Sequence, residues 1–171
     1  MRKVLSIGLA VATSLVGVTV ASPASAGVKW NGTVVEVINK LPSDWPVKDA
    51  VNWLDQYTGS DIRIVKKCHD SAIRCITIKN GRLKGSKANV TGYSQGSTIT
   101  IDVWKTRNVK PFKGKFGYHT KKYLLVHELA HQRYMQHVTS CNNVMNPHAR
   151  CNGHVPPLKF TATQKKKLAK Y

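Results

Sequence analysis

The chain has 171 residues, with 27 Lys and Arg against 8 Asp and Glu, and a formal net charge of +19. Its 42% hydrophobic content, with 12 Gly and 7 Pro, excludes a collagen-like or a low-hydrophobicity disordered chain. The length suits one domain. The excess of cations excludes an extended lattice of intrachain ion pairs and bears on solubility and anionic surroundings rather than on fold.

Residues 1–26 read as a secretory signal peptide: Arg2 and Lys3 form a basic start, Val4 to Ala21 carries no charge, and Ala24-Ser25-Ala26 gives a small-residue cleavage site. The competing reading is an uncleaved membrane anchor, since the apolar run is borderline in length. The well-formed Ala-Ser-Ala site and the absence of a basic stop-transfer flank argue against it. Cleavage leaves a single domain, residues 27–171, expected to be secreted, extracellular, monomeric and free of the membrane. The cysteines agree with export: Cys68, Cys75, Cys141 and Cys151 are even in number and none lies in the leader. Three pairings are open, and the local ones, Cys68–Cys75 and Cys141–Cys151, are favoured because each closes a short loop. Neither pair has the C-x2-C spacing of a structural zinc site.

Along residues 27–171, Thr33–Ile38 reads as a first strand and Pro42–Pro46 as a turn. Val47–Tyr57 follows as an amphipathic helix with Val47, Ala50, Val51, Leu54 and Tyr57 on one side. Ile62–Val65 and Cys75–Ile78 are strands, and Lys79–Ser97, rich in Gly, Asn, Lys and Ser, is a surface loop. Thr98–Val103 alternates strictly and is another strand. A basic loop over Lys105–Lys115 leads to a helix from Thr120 or Lys121 to about Tyr134. Ser140–Pro157 is irregular, and Thr161–Ala169 is a short Lys-rich helix. The order predicts one α+β domain: a small twisted mixed sheet, two main helices, an irregular segment and a short C-terminal helix.

The chemistry concentrates in His127-Glu128-Leu129-Ala130-His131, an H-E-x-x-H pattern. On a helix, residues i and i+4 share a face, so both imidazoles reach one zinc ion. Glu128 lies about 100° round the wheel from His127, near the metal but not on it, where it can take a proton from a zinc-activated water. Leu125, Val126 and Leu129 form the opposite, core-facing side. The bland alternative is a surface helix with two solvated histidines. A catalytic zinc has three protein ligands and an open position. None of the 8 acidic residues lies beyond Glu128, so a later carboxylate ligand is excluded. The downstream candidates are His137, His148 and His154.

Residues 127–137, H-E-L-A-H-Q-R-Y-M-Q-H, resemble the metzincin signature H-E-x-x-H-x-x-G-x-x-H at His127, Glu128, His131 and His137. Val144-Met145-Asn146-Pro147 is similar to the methionine turn of matrixins and adamalysin-type enzymes. The resemblance implies a zincin-like catalytic domain with His137 as third ligand, Met145 beneath the metal, Zn2+ as cofactor, and a zinc endopeptidase acting on protein or peptide substrates with Glu128 as general base. It also implies an edge strand over the cleft, expected at Thr98–Val103, to which an extended substrate adds by main-chain pairing.

Two departures matter. Tyr134 stands where the family has glycine, and the tyrosine that follows the turn in astacins and matrixins is replaced by Pro147-His148-Ala149. A helix continued through residue 137 would turn His137 about 240° from His131. The three-histidine reading therefore requires the helix to end near Tyr134 in a left-handed conformation that costs tyrosine on the order of one kcal/mol. His69 and His119 read as ordinary surface histidines. The cations crowd Lys105–Lys122 and Lys165–Lys170; the bland reading is a solvated surface, and the sharper one is retention on an anionic cell-surface polymer or a preference for acidic protein substrates. No nucleic-acid motif appears, so a nucleic-acid partner is not expected. The alternative from another class is a non-enzymatic cationic secreted protein that binds an anionic cell-wall polymer, with an incidental H-E-x-x-H.

Overall fold

The computed structural model describes residues 34–69, 74–108, 112–114 and 117–170. The leader expected over 1–26, and residues 109–111, 115 and 116 of the basic loop, lie outside the described residues. The elements run β1 (Val34–Lys40), α1 (Val47–Asp55), β2 (Asp61–Val65), β3 (Arg74–Asn80), β4 (Gly92–Gln95), β5 (Thr98–Ile101), α2 (Val103–Asn108), α3 (Gly117–His131) and α4 (Ala162–Lys170). They build an α+β domain on a five-stranded mixed sheet of order β2-β1-β3-β5-β4, in which only the β4–β5 pair is antiparallel.

The core follows from the periodicities. Val35 and Val37 of β1, Ile76 and Ile78 of β3, and Ile99 and Ile101 of β5 alternate onto one face of the sheet. Against that face lie Val47, Ala50, Val51 and Leu54 of α1 and the apolar residues of α3. Trp53 and Tyr57 stack on Phe160, with ring centroids 5.4 and 5.8 Å apart, and fasten the end of α1 to the segment before α4. Both expected disulfides are present, Cys68–Cys75 and Cys141–Cys151. Among the described residues no helix is long and apolar enough to cross a membrane.

Two expectations are corrected. Thr98–Val103 is not the edge strand. The strand proper, Thr98–Ile101, sits between β3 and β4, and Val103 already begins α2, with Asp102 Oδ1 accepting from the Lys105 amide 2.9 Å away as its cap. The edge is instead β4, inside the stretch expected to be loop. Its four residues carry a single strong strand former, Tyr93, and their pairing with β5, not their propensity, fixes the conformation. α3 also begins at Gly117, earlier than its sequence pattern predicts.

β4 runs close against α3. A Cβ on Gly92 would stand 2.6 Å from Glu128 Oε1 and 2.9 Å from Leu124 Cδ1. Gly92→Ala should therefore destabilise the domain by about 1–3 kcal/mol. Urea unfolding checks this, and a stability equal to the parent's would show that β4 can recede from the helix.

Candidate metal centre

α3 is buried around its whole circumference from Tyr123 to His131. The sequence pattern gives one core face and one open face, but the chain after α3 covers the second. Segment 138–149 folds back over the histidine side, tied by the Val138 amide to Met145 O at 3.0 Å and the Val144 amide to Lys159 O at 3.0 Å. Val144, Met145 and Ala149 are fully buried there.

The end of α3 determines where His137 goes. Gln132, Arg133 and Tyr134 amides bond to carbonyls three residues back, at 2.9–3.1 Å, and the Met135 amide reaches Ala130 O at 3.2 Å. The pair Tyr134 N–His131 O and Met135 N–Ala130 O is a Schellman closure, with Tyr134 at the position glycine usually takes. Tyr134 has φ 60, so it adopts the left-handed conformation despite its side chain. Two contacts from α4 hold the turn: Lys167 Nζ donates to Tyr134 O at 3.0 Å, and the buried Arg133 donates through Nη2 to Leu168 O at 2.7 Å.

The reversal brings the three imidazoles together. His127 and His131 Nε2 are 3.1 Å apart, and His137 Nε2 lies 3.1 and 3.0 Å from them. His127 Nδ1–H donates to Val144 O at 2.8 Å and His131 Nδ1–H to Met135 O at 2.7 Å. A carbonyl can only accept, so each of these rings carries its proton on Nδ1 and its lone pair on Nε2. Two lone pairs facing each other at 3.1 Å repel unless a cation lies between them. The donor set thus fits a metal ion: ligands at 2.0–2.1 Å in a tetrahedral arrangement are separated by about 3.3 Å, close to the distances here. Each Nδ1–carbonyl bond fixes a tautomer and a ring plane, the usual second layer of a histidine metal site.

Among the described residues, His127, His131 and His137 form the one group of this kind. His148 stands near His137, and His154 is exposed, with its backbone bridged to Cys151. Burial and the neighbouring imidazoles push the ring pKa of His127 well down, that of His131 to about 4, and that of His137 below its ordinary value with His148 contributing. All three are therefore neutral at pH 7. Glu128 is fully buried one residue along, beside Gly92.

Three supporting residues escape a motif search. Tyr123 donates its hydroxyl to Asn146 O, and burial and the Glu128 carboxylate push its pKa up, so it remains a donor. Asn146 donates from Nδ2 to Thr139 O at 3.1 Å and accepts from the His148 amide at 2.9 Å. Asn143 Oδ1 accepts from the Met145 amide at 2.8 Å. Each holds the segment beneath the imidazoles, and the only sequence signal is a cluster of Asn, the usual residue of side-chain-closed turns.

No protein-family model matches the chain, and the search of curated proteins finds no match.

Two outcomes follow. Tyr134→Asn, which tolerates positive φ, should leave the fold intact or raise its stability by up to about 1 kcal/mol, whereas Tyr134→Val should lower it by more than that. Equal melting temperatures for the two variants would mean that the left-handed turn stores no strain. In metal-free protein the depressed histidine pKa values set a pH slope. Above about pH 6.5 neither the folded nor the unfolded state binds these protons. Below it the unfolded chain does and the buried His127 and His131 do not, so stability falls as pH drops toward 4, by about 1.4 kcal/mol per pH unit for each of these two rings. Denaturant titrations with a chelator present, at pH 7 and pH 5, measure this. A flat profile would contradict the neutral, buried assignment.

Proposed function

We propose that the protein is a secreted zinc-dependent endopeptidase with a zincin-like catalytic domain. His127, His131 and His137 would hold the ion, and Glu128 would be the general base. The single observation that carries this reading is the convergence of three Nε2 atoms within 3.1 Å of one another, with two of the opposite ring nitrogens locked onto backbone carbonyls. An all-imidazole set suits zinc better than magnesium or calcium, and three ligands leave a coordination position for a reacting group. When bound, the ion supplies Lewis-acid polarisation of a carbonyl and acidifies water.

The chain's own residues supply the rest. Glu128 accepts the proton of the attacking water at a carboxylate oxygen and delivers it to the nitrogen of the departing amine. Its place on α3 next to His127 keeps it out of the ligand set but within one helical residue of it. Gly92 leaves the room that the carboxylate occupies. β4 is the last strand of the sheet and runs beside α3, so an extended peptide can pair along its outer edge and pass the metal centre. This gives β4 the role that the resemblance placed at Thr98–Val103. Met145, fully buried and next in the chain to Val144, whose carbonyl orients His127, and the positive φ of Tyr134 agree with the resemblance to metzincins. The Ala-Ser-Ala leader pattern and two disulfides support export.

Zinc analysis of the purified chain should give one ion per molecule, and peptide hydrolysis should disappear with a chelator and return with zinc. Glu128→Gln should keep the zinc and lower turnover by about 10²–10⁴-fold, while His131→Ala should lose the zinc. Near-parental turnover in Glu128→Gln would remove Glu128 as the base.

A further inference from the structure

The metal centre does not account for the other face of the sheet. Strand alternation sorts the residues: Gly92, Ser94, Ile99 and Ile101 face α3 and the core, and Tyr93, Thr98 and Thr100 point away from them. On this outer face the 81–91 segment returns over β4 and closes a small apolar cluster of Leu83, Val90 and Tyr93. Beside that cluster is a hollow of about 590 Å3. Lys79, Arg82, Lys84 and Lys87 wall it, and among the described residues no carboxylate lines it.

Two of these cations are held in place. Lys87 Nζ sits 3.5 Å above the Tyr93 ring, and the Arg82 guanidinium 3.8 Å above the ring of Trp104, with Asp102 Oδ1 3.8 Å from Arg82 Nη1. Cations fixed around one hollow repel each other, and an anion relieves the repulsion without first having to order the side chains. Three cations of the basic runs outside the hollow are already engaged. Lys105 donates to Ala88 O and Val90 O, Lys121 pairs with Asp44, and Lys167 holds Tyr134 O.

We propose that this hollow is a binding site for a single-chain phosphodiester polymer, of the polyol-phosphate kind, which retains the protein on an anionic surface while the metal centre on the other side of the sheet stays open. The donor chemistry selects phosphate. Arg82 is engaged by Trp104 and Asp102 and Lys87 lies on the Tyr93 ring, so the remaining charge of the walls is carried by the ammonium groups of Lys79, Lys84 and the fixed Lys87. Lysine ammonium groups in the walls meet phosphate oxygens as point charges, without the fork geometry on which arginine pairing depends. Thr98 and Thr100 add hydroxyls in the lining that can bond those of a polyol. Within the hollow bases find no stacking platform, because Tyr93, the aromatic residue of its lining, is 8% exposed and lies under Lys87. The site is independent of the metal-centre reading and should work in metal-free protein.

The test is calorimetric titration of the full secreted chain, with a chelator present, using poly(glycerol phosphate) at about 50 mM salt, where electrostatic binding is strong. Polygalacturonate and oligo(dT) of equal charge serve as competitors. The triple variant Lys79→Gln/Lys84→Gln/Lys87→Gln should bind about tenfold or more weaker, and the single exposed substitution Lys84→Gln about threefold. The equal-charge control Lys66→Gln/Lys67→Gln/Lys166→Gln should change binding by less than about twofold. Equal weakening in both triple variants would reduce the site to general surface charge and overturn the proposal. So would tighter binding of the polycarboxylate or the oligonucleotide, or no binding by the parent protein.

Discussion

The left-handed turn at Tyr134 is the constraint on which the three-histidine cluster depends. A helix can place His127 and His131 on one face by periodicity alone, but a third imidazole requires the chain to leave the helix and come back. Tyr134, at φ 60, makes that reversal, and its amide bond to His131 O, with that of Met135 to Ala130 O, turns the chain back toward the position of residue 137. Tyrosine is a costly residue for this conformation. The compensation comes from distant sequence: α4 donates Lys167 to the Tyr134 carbonyl and receives the Arg133 guanidinium at Leu168 O. The short C-terminal helix is therefore a brace for the site rather than an appendage.

The same return of the chain covers the helix. Val144 supplies the carbonyl that orients His127, and Met135 the one that orients His131, so the chain that shields the imidazoles also sets their tautomers. Tyr123, Asn143 and Asn146 fix that segment from below, and the Cys141–Cys151 bridge closes it. Burial keeps the rings neutral, and neutral rings with their Nε2 lone pairs converging are what a cation requires. Fold, protonation and the convergence of the three ring nitrogens are in this way one property of residues 127–151.

Much of this is legible in the sequence because it is local and periodic. The spacing of Val47, Ala50, Val51 and Leu54 specifies α1, the alternation in β1, β3 and β5 specifies their buried faces, and H-E-x-x-H with a later His specifies the cluster. What escapes is set by tertiary context. β4 has too few strand formers to be recognised and exists because β5 and α3 flank it. α2 replaces an expected loop because Asp102 caps it. The outer-face hollow gathers Lys79, Arg82, Lys84 and Lys87 from a strand and a returning loop, a convergence that linear charge runs do not reveal.

The account stands on three imidazoles sharing one ion with a position left open. X-ray absorption at the zinc edge of the zinc-loaded chain measures this directly. The account predicts a four-coordinate shell of three histidine nitrogens and one light solvent ligand at about 2.0–2.1 Å, reduced to two histidines in His137→Ala. A shell with sulfur, a shell saturated by protein ligands, or one unchanged in His137→Ala would contradict it.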